Sequence, residues 1–262
     1  MCCQGQSGCK TDMLVIFMFL EYSLGLGSFF SGIVLDWMHT VDLGVAQMCL
    51  GNILWFVFLR LGGLVTREQE ALSRIMNYLS DAANEIGQAM PFSKLTLGMI
   101  RGSDLRPQLR AKAAVTRRLV PIVLQMLHMH FPPVDDHSLR MVRCLDFLAK
   151  AYHELEHWGA GSASRLEVFC RRHVLLYLSL AEDTARGDGE WLLWRWKPKH
   201  HMLLHLSKEQ AERMGNPSNW WCYQDENSIG IAVSIAESVH PSTLPTASMT
   251  KYLVSVFLSM LD

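Results

Sequence analysis

Asp36-Trp-Met-His39 sets a carboxylate at the end of an apolar run and an imidazole three residues later, where the pattern predicts the first turn of a helix. A carboxylate so placed suits a divalent cation, and a histidine one turn on can orient it or contact a phosphate. Asp225-Glu226 repeats the situation before a predicted helix over Ile229 to Val239, the glutamate lying 190 residues beyond Asp36. Two carboxylates from separate segments can share Mg²⁺, which takes hard oxygen ligands and keeps several waters. Each acid also has a plain structural use, capping the helix it precedes.

A second constellation is His153-Glu-Leu-Glu-His157, an H-E-x-x-H string on a predicted helix. His153 and His157 would share one face for Zn²⁺, with Glu154 activating water as in a hydrolase. Glu156 adds a charge inside the motif, Gly159 cuts the helix soon after, and Glu167, Glu182 and Asp183 are the candidates for a third ligand. His128-x-His130 and His201-x-x-x-His205 have metal-ligand spacing too, but lack cysteine partners, so surface or packing roles are expected. Between positions 101 and 118 six basic residues, Arg110, Lys112, Arg117 and Arg118 among them, face Asp104 alone, a run that could track phosphates. Lys197 and Lys199 stand beside Trp194 and Trp196, charge next to stacking surface as single strands require.

These residues need a scaffold, and the chain can build one. It has 262 residues, half of them apolar, with 8 Trp, 11 Phe and 15 Met, which excludes a disordered or fibrous chain. A net charge of −1 gives no global field for nucleic acid or anionic lipid, so any such contact must be local. Seven cysteines without a C-x-x-C pair read as reduced thiols of an intracellular protein. The run Met13 to Leu35 is long enough to span a membrane, but Glu21, three glycines and the lack of flanking basic clusters argue against that use. No P-loop or dinucleotide fingerprint occurs, so no nucleotide cofactor is expected.

Short apolar runs at Met13–Leu20 and Gly32–Leu35 suit buried strands, and Asn219–Tyr223 a further short one. Between them helical periodicity dominates: Asp36 to the Gly62-Gly63 pair, Thr66 to Gly87, Leu109 to His130 with a kink at Pro121, Asp136 or Ser138 to Gly159, Ser164 to Ala185, and Met202 to Met214. The class is therefore α+β, predominantly helical. An α/β core in two parts, residues 1–60 and 191–262, is interrupted by an all-helical insertion over 61–190.

The string V-L-D-W-M-H-T-V-D-L-G-V (34–45) resembles the D-x-x-H signature around the second catalytic aspartate of eukaryotic cut-and-paste transposases of the P and CACTA types. W-K-P-K-H-H (196–201) and W-W-C-Y-Q-D-E-N (220–227) are similar to strings of transposon-derived proteins. The resemblance implies a remnant RNase H-like core in which Asp36 and Glu226, or Asp225, hold Mg²⁺, His39 is the signature histidine, and DNA is the partner, met in the nucleus. It also implies an earlier aspartate, and only Asp12 precedes Asp36. A truncated chain, inactive in strand cleavage and transfer, is the expectation, with a Zn²⁺ hydrolase or a non-catalytic helical interaction or DNA-binding protein as alternatives. Oligomeric state is left open.

Overall fold

Among residues 34–62, 68–102, 106–185, 193–223 and 234, which the structure, a computed structural model, describes, there is no β-strand. The fold is predominantly helical. Helix α1 runs from Met38 to Arg60, opening as a π-helix over Met38–Val45 and continuing as an α-helix over Ala46–Arg60. There follow α2 (Glu68–Glu85), the single turn α3 (Leu97–Ile100), α4 (Ala113–His130), α5 (Asp136–Glu156) and α6 (Ser162–Ala185). Last comes α7, an unbroken run of α-helix Pro198–His205, π-helix Leu206–Gln210 and α-helix Ala211–Met214, then a 3-10 turn over Pro217–Trp220. All belong to a unit spanning Asp36–Asp262; of the other unit, Met1–Leu35, only Val34 and Leu35 are described. The strands expected before position 34 lie outside the described residues, as does most of the run weighed as a membrane span.

Helix α1 is central because it is apolar all round, and such a helix must be buried on every side. It packs against α2, α3, α4, α5 and α7. Its composition would allow it to cross a membrane, yet 89% of its most apolar stretch is buried inside the protein. Trp55 and Phe58 stack with centroids 5.2 Å apart at zero exposure. Around it α5 and α6 form a lengthwise hairpin, α2 covers α4, and α6 lies on α7.

Local chemistry sets the ends. Glu68 and Glu70 favour the positive end of α2, and Leu72, Ile75 and Leu79 recur at helical spacing on its buried face. Gly87, at φ 66°, turns the chain there while the Gln88 N–H donates to the Ala83 carbonyl at 2.8 Å, a Schellman closure. The expected Thr66 cap lies outside the described residues. Asp135, rather than Asp136 or Ser138, caps α5, and Ser138 completes a capping box from the third helical position. Helix α4 runs as one α-helix with Pro121 inside it. Helix α7 begins at Pro198, four residues earlier than periodicity alone predicts, because proline suits a first helical position.

The strand expected over Asn219–Tyr223 is a correction. Pro217 opens a 3-10 turn, and the Asn216 side chain accepts from the Ser218 N–H at 3.0 Å, so the chain curls where a strand would extend. No neighbouring strand among the described residues offers a ladder.

Candidate functional site

Three polar side chains interrupt the apolar surface of α1 at regular spacing, and each pins a different segment. Buried polar groups must find partners, so each contact fixes a register. Asn52 accepts from the Trp194 N–H at 2.9 Å and donates to the Met48 carbonyl at 2.7 Å, holding Trp194 in a positive-φ conformation. Gln47 donates to the Ala111 carbonyl at 2.8 Å, while its own carbonyl accepts from the Leu109 N–H at 2.9 Å. Asp42 sits beneath the turn after α7 and belongs to the site itself.

Asp36 is the other end of that site. One carboxylate oxygen accepts from the His39 N–H at 2.7 Å and lies 2.6 Å from His39 Nδ1. The other accepts from the Cys222 N–H at 2.8 Å, across 186 positions of sequence. Asp36 therefore caps α1 and anchors the 220–223 segment at once. A neutral His39, half exposed, carries its proton on Nδ1. The Asp36 carboxylate, the His39 ring and Cys222 Sγ bring ligand-type atoms within 4.8 Å of one another.

Asp42 is fully buried and accepts hydrogen bonds from the Tyr152 hydroxyl of α5 and, at 2.7 Å, from Tyr223. Burial raises its pKa to about 6, against the lowering effect of both hydroxyls and the Arg117 charge. Burial likewise pushes Tyr152 and Tyr223 upward, with the Asp42 charge adding to it. Arg117 completes the wall: its guanidinium lies 4.5 Å from the Trp221 ring centre and donates to Glu156 at 3.0 Å.

Lys199 closes the opposite side. Its ammonium donates to the His39 carbonyl at 2.6 Å and the Leu43 carbonyl at 3.1 Å, both in the π segment of α1. Gly44 makes room, since a Cβ there would stand 2.4 Å from Lys199 Cδ. The strings 34–45 and 196–201 are thus two halves of one contact. Removing the ammonium with Lys199→Met should cost about 1 kcal/mol of stability, seen as a lower urea midpoint at unchanged slope.

The basic residues divide. Arg117, Lys197 and Lys199 serve internal contacts, Lys197 donating to Gln108 at 3.2 Å, and burial lowers the pKa of both lysines. Arg118 donates to the Ala89 carbonyl at 3.0 Å. Arg110 and Lys112 are exposed. Arg101 and Arg118 of the sequence-derived patch are exposed as well.

The H-E-x-x-H string is placed differently from a hydrolase site. His153 and His157 are exposed at the end of α5, with ring centres 4.0 Å apart. Glu154 is buried against α6, where it accepts from Ser162 and from Arg165 at 3.0 and 2.8 Å. The guanidinium holds its pKa below the usual carboxylate range. That carboxylate clamps the α5–α6 hairpin. Asp183, a suggested third ligand, pairs with Arg140.

Asp225 and Glu226 lie outside the described residues, immediately after the segment that Asp36 holds. Without them, the described residues do not suit Mg²⁺: Asp36 supplies oxygen, but imidazole and thiol are the wrong partners for a hard cation. Asp42 escaped the sequence reading, although a carboxylate inside an otherwise apolar helix is a signal that it must be paired. Comparison of the chain with known protein families, characterised proteins and solved structures finds no match.

Proposed function

We propose that this chain is a transposase-like DNA strand-transfer protein, a remnant of an RNase H-like core that binds DNA and a divalent cation and is by itself inactive in cleavage. The observation that carries the reading is the hydrogen bond from the Cys222 N–H to the Asp36 carboxylate. It draws the chain leading into Asp225-Glu226 up to the aspartate of the D-x-x-H string. The Lys199 contact supports the same pairing from the second resembling string. Arg110 and Lys112 are the residues offered to phosphate.

In a Mn²⁺ titration followed by electron paramagnetic resonance, Asp36→Asn and Glu226→Gln should each abolish binding, with circular dichroism showing that both variants keep their helical content. For DNA, Arg110→Gln with Lys112→Gln should reduce the slope of log affinity against log salt by about 2 on duplex. Mn²⁺ binding unchanged in both acid variants, or a salt slope unmoved by the double substitution, contradicts the proposal.

A further inference from the structure

The exposed face of α7 carries a pair of histidines that the site above does not use. The inward positions of this helix are His200, Leu203, Leu206 and Gln210, all buried. His201 and His205 fall one turn apart on the other face, where His201 is exposed and the His205 side chain is 39% accessible. Their Nε2 atoms lie 3.0 Å apart, with ring centres at 4.6 Å and planes at 85°. Two nitrogens bound to one ion at about 2.0–2.1 Å stand about 2.9 Å apart at a right angle and about 3.3 Å apart at the tetrahedral angle. The observed separation falls between these values.

The orientation of the pair is set by Glu209, whose carboxylate lies 3.1 Å from His205 Nδ1. That contact keeps the His205 proton on Nδ1 and turns the Nε2 lone pair toward His201. A carboxylate behind a histidine in this way is the usual support of a metal-binding imidazole. We infer that His201 and His205 form a surface site for a borderline divalent transition ion, Zn²⁺, Cu²⁺ or Ni²⁺, with Glu209 as the orienting group and water in the remaining positions. The ion replaces the hydrogen bond between the rings, with His201 carrying its proton on Nδ1.

This site is independent of the Asp36 centre, and the test keeps the two apart. The full chain is titrated with Cu²⁺ and the bound ion read by electron paramagnetic resonance, with Zn²⁺ affinity measured in parallel by calorimetry. A Cu²⁺ signal with two coupled imidazole nitrogens is expected in wild type and in Asp36→Asn, and its loss in both His201→Gln and His205→Gln. Glu209→Gln should weaken Zn²⁺ binding about 10- to 100-fold without changing the nitrogen count. A signal that survives both histidine variants, or that disappears in Asp36→Asn, overturns the assignment.

Discussion

Raising the pH from about 4 to above 6 is expected to remove up to about 3 kcal/mol of folding free energy through Asp42 alone. The unfolded carboxyl has a pKa near 3.8 and the folded one is raised to about 6, so between these values the folded chain binds more protons than the unfolded. The contribution is complete below the lower value and lost as pH climbs through the upper one. The shift corresponds to about 1.4 kcal/mol per pH interval, which gives the total. The groups facing Asp42 are Tyr152 of α5, Tyr223 beyond α7, Arg117 of α4 and, on its own side, Asp36. Burial raises the pKa of both tyrosines, so they stay protonated across this window. The difference between wild type and Asp42→Asn isolates the effect. Urea denaturation at pH 4 and pH 7 should show wild type losing more stability than the variant, by about 3 kcal/mol. Equal changes in the two proteins would show that Asp42 is not held protonated by the fold.

Gly51→Val is expected to be the most damaging substitution in α1, costing about 3 kcal/mol or more. A Cβ at this position would stand 2.4 Å from Gln108 Cα and 2.6 Å from the Leu109 nitrogen. Those atoms are backbone, and the segment cannot retreat because Leu109 N–H is bonded to Gln47 and the Ala111 carbonyl to the Gln47 side chain. Alanine for glycine inside a helix normally gains about 1 kcal/mol, so even Gly51→Ala should destabilise despite a favourable propensity. Thermal unfolding of the two variants checks this, since a neutral or raised melting temperature for Gly51→Ala would mean the segment can shift. The same close approach precedes Lys112 at the head of α4.

Much of the helical layout is legible in the residues. Leu72, Ile75 and Leu79 announce the buried face of α2, and Gly62, Gly87 and Gly215 mark helix ends where φ is positive. Both depend on near neighbours along the chain. The role of Asp135 was less visible, because Asp136 and Ser138 are equally good caps and only the geometry of the turn selects one. The Asn219–Tyr223 aromatics looked like a strand by composition, yet each ring has its own destination, Trp221 under Arg117 and Tyr223 on Asp42.

Sequence alone determined that the chain is mostly helical, where most helices stop, and that His39 lies in the first turn of a helix that Asp36 precedes. Those features follow from side-chain period, capping and backbone freedom within a few residues. Only the tertiary structure decided that Glu154 faces Arg165 instead of the histidines, that Lys199 is a clamp on the π segment, and that Asp36 reaches Cys222. Each of these depends on which buried polar group meets which partner, and that is fixed by how whole helices pack, at distances in sequence where local pattern carries no information.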